Sequence, residues 1–217
     1  MKIGIIGSGD VAQALGAGFI GKGHQVLVGT SSPAKLADWK AANSAAQVGS
    51  FADAAAFGEL VVLAVKGNAA VAAVKAADAQ ALAGKVVIDA CNPIADAPPV
   101  NGVLQFFTGP NESLLETLQA EFAAVHFVKA FNSVGSAFMI DPQFEGGAPT
   151  MFIAGNDAAA KATVSKLLNS VGWDSADMGA ATAARAIEPL CMLWCIPGLL
   201  RNEWAHAFKL VKPVAAR

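Results

Sequence analysis

The chain has 217 residues, with 17 acidic against 15 basic side chains and a formal net charge of −2 at pH 7. Hydrophobic residues make up 54 % and charged ones 15 %, which excludes a disordered chain and suits one core with at most a small appendage. The near-neutral balance argues against nucleic acid or an anionic membrane as principal partner, because both require a basic surface.

Short β-branched runs alternate with Ala-rich helical stretches. The first strand is expected at Ile3–Ile6, where the apolar run stops at Gly7, too early for a signal peptide. Gly7-Ser8-Gly9-Asp10-Val11-Ala12 follows and opens a helix expected over Val11–Gly21. The first glycine permits a tight turn and the second lets backbone approach a pyrophosphate; Ala12 stands where helix and strand pack closely. Open N–H groups and the positive helix end would hold the phosphates. A glycine-rich turn without ligand is the plain alternative, but a second strand about 20 residues on completes the βαβ unit that the motif requires.

That second strand is expected at Val26–Val28, followed by Gly29-Thr30-Ser31-Ser32-Pro33-Ala34-Lys35 and a helix over Pro33–Ala42. Ser32-Pro33 reads as an N-cap with proline at the first helical position. A site that prefers NAD usually places an acidic residue here for the ribose 2′-hydroxyl, whereas the next one in this chain is Asp38. Three hydroxyls, a helix start and the Lys35 ammonium suit a 2′-phosphate instead. The expectation is therefore NADP over NAD, with an ordinary capped surface helix as the alternative.

Further strands are expected at Leu60–Val65, Val86–Asp89, His126–Val128 and Met151–Ile153, and helices at Ala69–Ala77, Ser113–Phe122 and Ala158–Val171. Leu-Val-Val-Leu-Ala-Val is apolar without alternation, as in a parallel strand buried on both faces. Ala90 to Gly109, rich in Pro and Gly, reads as a long loop of the kind that is often functional. The pattern is that of a Rossmann-type α/β fold, a doubly wound parallel sheet. Ligands of such sheets bind beyond the carboxyl ends of the strands. Ala64-Val65-Lys66-Gly67-Asn68, Asp89-Ala90-Cys91-Asn92-Pro93 and Lys129-Ala130-Phe131-Asn132-Ser133 should therefore line the nicotinamide half and the second substrate, where asparagines and carbonyls can fix a carboxamide; ordinary loop polarity is the alternative for any single residue.

Beyond Ala180 no strand is expected. Ala183–Leu193 and Leu199–Val211 read as two helices broken at Pro197-Gly198, so residues 180–217 form a helical C-terminal extension on a dinucleotide-binding domain of residues 1–179. Mean hydropathy is +0.47, yet the apolar stretch Leu190 to Leu200 is bounded by Glu188 and Arg201 and falls short of the roughly 20 residues of a spanning helix. Three cysteines give no even disulfide framework, which suits a reducing cytoplasm. Cys191 and Cys195 share a helix face without a further ligand for a metal site, and none of the three histidines has an evident catalytic partner.

Gly7-Ser8-Gly9-Asp10, Val28-Gly29-Thr30, Ala90-Cys91-Asn92-Pro93 and Val128-Lys129-Ala130-Phe131-Asn132 together resemble the NADPH-dependent coenzyme F-420 (5-deazaflavin) oxidoreductases. They are also similar to the cytosolic reductase domain of six-transmembrane metalloreductases. The resemblance spans nearly the whole chain, including Asp177-Met178-Gly179 and Arg185 to Glu188. It implies NADPH along the strand ends, its nicotinamide facing coenzyme F-420, FMN, FAD or a quinone. It places Ser8, Gly9, Asp10 and Val11 beside Gly7 at the pyrophosphate turn, and Thr30, Ser31, Ser32 and Lys35 at the 2′-phosphate. Ala64, Val65 and Lys66 fall near the central linker, and Asn92, Pro93, Ala130 and Asn132 near the nicotinamide. Ser31 departs from relatives that often carry arginine, which removes a bidentate phosphate fork.

No membrane span is expected after the domain, and hence no covalently attached haem partner of the metalloreductase kind; the expected partner is a small-molecule redox acceptor, with a homodimer or the cleft itself covering the apolar C-terminal helices. Arg185 cannot serve as acid or base, and Glu188 reads as a cap or inter-helix bond as readily as a titrating group. The expected chemistry is hydride transfer to a flavin-like ring without a catalytic side chain or a metal. The acceptor ring is expected between Asn92-Pro93, Phe106-Phe107, Ala130-Phe131 and Met178-Gly179. Two alternatives stay open: reduction of a small metabolite such as pyrroline-5-carboxylate or a hydroxy acid, and a non-catalytic NADP-sensing module.

Overall fold

Six parallel strands form one sheet in the order β3-β2-β1-β4-β5-β6 in the computed structural model, which describes residues 1–213. They are β1 (Lys2–Ile6), β2 (Gln25–Gly29), β3 (Gln47–Gly49), β4 (Leu60–Leu63), β5 (Val86–Asp89) and β6 (His126–Lys129). The strand order reverses between β1 and β4, which is where a doubly wound sheet opens a crevice for a ligand. Helices α1 (Asp10–Gly21), α2 (Ala37–Ala42), α3 (Phe51–Phe57), α4 (Ala70–Ala76), α5 (Ala79–Leu82), α6 (Leu114–Glu121) and α7 (Ala158–Ser170) flank it. The Rossmann-type α/β fold is the one the sequence pattern predicts.

Successive side chains along each strand point to opposite faces, and here both faces are apolar. Ile3, Ile5, Val26, Val28 and Val62 join the core under α1 and α7, whereas Ile6, Leu27, Val61, Leu63 and Val87 join the core under α3, α4 and α6. Gly4 is the exception that lets the layers close, since a Cβ there would overlap the Ala54 carbonyl of α3. β3 and α3 were not among the expected elements. β3 has only three residues at the sheet edge. α3 did carry a signal: Ser50 and Asp53 form a reciprocal capping box, the spacing that marks a helix start. The expected Pro33–Ala42 helix begins as a 3₁₀ turn, Pro33–Leu36, and Ser32 makes no side-chain cap bond.

After β6, a parallel pair of β7 (Thr150–Ile153) and β8 (Asp174–Asp177) joins the sheet through an antiparallel bridge, Lys129 to Ala154. β8 reads Asp-Ser-Ala-Asp, with no apolar pattern to announce a strand. The C-terminal segment also differs from expectation. A 3₁₀ turn, Ala181–Ala183, leads into α8 (Ala184–Ile187) and α9 (Pro189–Arg201), and α9 passes Pro197-Gly198 unbroken to end at Asn202, with φ +57°.

The helix expected over Leu199–Val211 is replaced after Arg201 by a strap that is neither helix nor strand through residue 213. Gly198 admits the strap, because any side chain there would overlap Trp204. Backbone groups then find tertiary partners: Thr150 N donates to Phe208 O at 2.9 Å and Trp194 Nε1 to His206 O at 2.8 Å. Residues 214–217 of the expected extension lie outside the described residues. The run Ala181–Arg201 is longer than expected, 21 residues, and by length and composition alone could cross a membrane. Arg185 and Glu188 fasten it instead to Glu116 and to the Lys129 ammonium.

Candidate functional site

The turn after β1 is built for close backbone approach. Gly7 has φ +137°, where L side chains are strained, and a Cβ there would overlap the Ala64 carbonyl. Gly9 is the extended N-cap of α1, with open space at its missing side chain. Gln13 N bonds to Gly9 O at 3.0 Å, so the amides ahead of it, including Asp10 and Val11, are the unpaired donors of a helix start. Gly9 and Asp10 are exposed, and Ser8 and Val11 half-buried. An anion fits this cradle.

The end of β2 docks onto that turn. Gly7 N donates to Gly29 O at 3.1 Å, and Thr30 Oγ1 donates to Ser8 Oγ at 3.0 Å. Thr30 is 4 % exposed and also accepts from Ser32 N at 3.0 Å. Its hydroxyl therefore organises the loop rather than facing outward, a correction to its expected place on the phosphate. Ser31 and Lys35 are exposed and Ser32 half-buried, and among the described residues Lys35 pairs with no carboxylate. Trp39 anchors the loop from behind: its Nε1 donates to Gln13 O at 3.0 Å and its ring lies against Gly16.

Beyond the turn lies a cavity of about 290 Å³ lined by Val11, Val65, Lys66, Ala90, Cys91, Asn92, Ile94, Ala95 and Asp96. It gathers the ends of β4 and β5 and the first turn of α1. Ala64 sits in the core beneath it. Pro93, Ala130 and Asn132 do not reach the cavity; all three are buried, and Ala130 is part of the core. Asn132 acts through its neighbour. Asn92 Nδ2 donates to Asn132 O at 2.8 Å, while Asn132 Nδ2 donates to Ile187 O at 3.0 Å and lies 3.2 Å from Asn92 Oδ1.

The expected acceptor cleft is not assembled as one surface. Phe106 lines a separate cavity of about 280 Å³, with Arg185, Glu188, Pro189 and Met192 among its walls. Phe107 is exposed and Phe131 buried. Met178 and Gly179 line neither cavity; they follow β8, where Gly179 O accepts from Gly155 N and Lys161 Nζ.

Sequence reasoning missed a buried charge cluster behind the first cavity. Lys129 Nζ lies 2.6 Å from Asp89 Oδ2 and 2.8 Å from Glu188 Oε1, all three side chains being 0–2 % exposed. Burial opposes the ammonium, but the two carboxylates outweigh it and hold Lys129 above the ordinary lysine value. Glu188 also caps α6, its two oxygens accepting from Leu114 N and Leu115 N at 3.0 Å each. The cap expected of Glu188 is present, and the group is fully engaged. Burial pushes the Cys91 thiol well above its usual range, with help from Asp89, so it stays protonated and inert. Cys191 is buried and Cys195 half-buried, both as free thiols; a hydrogen bond between the two raises the pKa of the first and lowers that of the second.

The sequence profile of the family described as NADP oxidoreductase, coenzyme F420-dependent, matches residues 2–93. A solved structure from Arthrobacter sp. FB24, provisionally described as an F420-dependent NADP-reductase, is 34 % identical and superposes with a TM-score of 0.91 over 98 % of this chain and 100 % of that one. The chain belongs to the family of coenzyme F420-dependent NADP oxidoreductases.

The profile match includes the Gly7 turn, the Thr30 to Lys35 loop and Asn92-Pro93, and ends before Lys129 and Asn132. The metalloreductase STEAP3 of Rattus norvegicus is 34 % identical over 203 residues, covering 92 % of this chain; the chain spans 39 % of that protein's length. An imine reductase of Streptomyces aurantiacus shares the fold, with a TM-score of 0.67 at 16 % identity over 92 % of this chain and 63 % of that one.

Proposed function

We propose that the protein binds NADPH across the turn, the β2 loop and the 290 Å³ cavity, and passes hydride from the nicotinamide to a flavin or deazaflavin ring. The observation that carries the reading is the continuity of an anion cradle, at Gly7 to Val11, with a loop that presents Ser31, Ser32 and Lys35 and no carboxylate. When bound, NADPH supplies the hydride. The chain's contribution is to hold the dinucleotide: open amides take the pyrophosphate, the loop takes the 2′-phosphate, and Asn92 orients the far end. Such a ring delocalises the added charge, so positioning rather than acid catalysis dominates. The buried Glu188 and Lys129 engage each other and offer the site no proton donor. Exposed Leu193, Leu199 and Leu200 on α9 fit a second copy of the chain.

One observation favours a second reading. Among the described residues Asp96 is the only carboxylate lining the cavity, and its Oδ2 accepts from Asn68 Nδ2 at 2.7 Å. A carboxyl there could protonate an imine or a carbonyl as hydride arrives, as a small-metabolite reductase requires. Stopped-flow oxidation of NADPH against coenzyme F-420, FMN, FAD, a quinone, pyrroline-5-carboxylate and small hydroxy or keto acids separates the two. Turnover with ring acceptors that survives Asp96→Asn is expected; turnover confined to the small metabolites and abolished by Asp96→Asn overturns the ring reading. Tight NADPH binding with no turnover on any acceptor would leave a sensing module. Lys35→Ala is expected to weaken NADPH about tenfold, the scale of a lost charge-assisted contact, and to leave NADH unchanged in the same fluorescence titration.

A further inference from the structure

The Asp89–Lys129–Glu188 cluster is absorbed by no step of the proposed chemistry, yet withdrawing each charge from water costs several kcal/mol. Apolar side chains of similar volume would fill the same space without that penalty. What they could not do is bond the strand end beside the cavity. Lys129 Nζ donates to Cys91 O at 2.9 Å, and Asp89 Oδ1 accepts from Cys91 N at 2.9 Å. Both backbone polar groups of Cys91 are thus gripped by the cluster. The next residue, Asn92, enters the cavity and is tied through Asn132 to Ile187 O, immediately before Glu188. Gly67 seals the other side, for a Cβ there would overlap the Asn92 carbonyl. Phe131 bends between Lys129 and Asn132 with φ +63°, a conformation that strains a bulky side chain and marks a site held by its surroundings.

We propose that Lys129 is a positioning residue for the nicotinamide end of the site: with Asp89 it locks the Cys91–Asn92 peptide, and so fixes where Asn92 stands in the cavity. The proposal rests on the reading of that cavity as the nicotinamide pocket. Lys129 touches neither cofactor nor acceptor and works through Cys91 and Asn92. Glu188 completes the device by balancing the ammonium while its oxygens hold the start of α6, so the C-terminal helix is part of the wall's support.

Lys129→Met alone leaves two carboxylates unpaired, so the test uses the charge-free triple variant Asp89→Asn/Lys129→Met/Glu188→Gln. That variant keeps an acceptor for Cys91 N and for one of the two α6 amides that Glu188 binds, and deletes the grip on Cys91 O. Two probes are titrated: NADPH, and adenosine 2′,5′-bisphosphate, which carries the 2′-phosphate half without a nicotinamide. The expected result is binding of the bisphosphate within about twofold of the unaltered protein, NADPH weakened about tenfold, and hydride transfer slowed on the order of 100-fold, the scale of misplacing a reacting group by an ångström.

Asn92→Ala supplies the second reading, since residues in one network couple. It should weaken NADPH about tenfold in the unaltered protein and less than about threefold in the triple variant. Equal losses for both probes, no loss for either, or additive effects of Asn92→Ala would each show a structural staple and overturn the proposal. Failure of the unaltered protein to bind NADPH while it binds the bisphosphate would instead overturn the cavity reading on which the proposal rests.

Discussion

Two polar sites stand at the carboxyl ends of the parallel strands and are wired in opposite ways. After β1 and β2, backbone amides, Ser31 and Lys35 face outward, and among the described residues no side chain pairs with Lys35 or with the amides at the start of α1. After β5 and β6, an ammonium and two carboxylates are buried as ion pairs, with Leu114 N, Leu115 N, Cys91 N and Cys91 O as their backbone partners. Unsatisfied donors at the surface make a ligand site, because an incoming anion replaces water at little cost. A closed cluster in the core makes a scaffold, because its members are held far more strongly by each other than any solute could hold them. Exposure of the donors, rather than charge itself, separates the half that grips from the half that aligns.

Breaking the closed site should have the larger effect on stability. Lys129→Met strands two buried carboxylates and is expected to cost about 3–5 kcal/mol, read as a lowered urea midpoint. The pH dependence has a definite sign. Lys129 is held above its unfolded value, so its contribution is complete below the unfolded lysine pKa of about 10.4 and is lost as pH rises above that. The gap in urea midpoint between the unaltered protein and the variant should narrow in strong alkali.

Breaking the open site at its turn comes next. Gly7→Ala forces φ +137° on a residue with a Cβ and drives it into Ala64, at an expected cost of about 1–3 kcal/mol together with lost NADPH affinity. Thermal melting with and without NADPH separates the two effects, and an unshifted melt in both conditions would show that the turn does not need glycine.

The smallest effect sharpens the contrast between buried and exposed charge. Arg185 holds the Glu116 carboxyl below its usual range through a side-chain hydrogen bond, but the pair reaches solvent and is screened. Arg185→Ala should lower the melting temperature only slightly at neutral pH. Because the folded carboxyl is depressed, the contribution is present above the unfolded carboxylate pKa and fades as pH falls through the folded value. A loss as large as that of Lys129→Met would mean that Arg185 does more than pair with Glu116.

The sheet, its strand order and the phosphate turn were legible in the sequence because their signals are local. Unbroken β-branched runs declare doubly buried strands, and Gly7-Ser8-Gly9 between a strand and a helix admits few readings. The β2 loop was legible as chemistry, though only contacts showed that the Thr30 hydroxyl is turned inward. The six residues from Leu60 to Val65 were read as strand, whereas hydrogen bonding ends β4 at Leu63, because apolarity continues where the chain has already turned. β8 and the strap after Arg201 were not legible. The first pairs through backbone alone, and the second takes its form from Gly198 yielding to Trp204 and from Thr150 bonding both Phe208 and Leu210.

What the sequence by itself determined is the fold class and the anion cradle, since periodicity and glycine placement act over a few residues. What only the tertiary structure decided is the wall of the site. Asp89, Lys129 and Glu188 lie on three elements far apart in the chain; in the sequence the first two read as strand-end residues of the site and Glu188 as a cap or inter-helix bond, with nothing to join the three. Burial converts them into one unit: removed from water, an ammonium must find its counter-charges, and it finds them where the paired ends of β5 and β6 meet Glu188 at the start of α9.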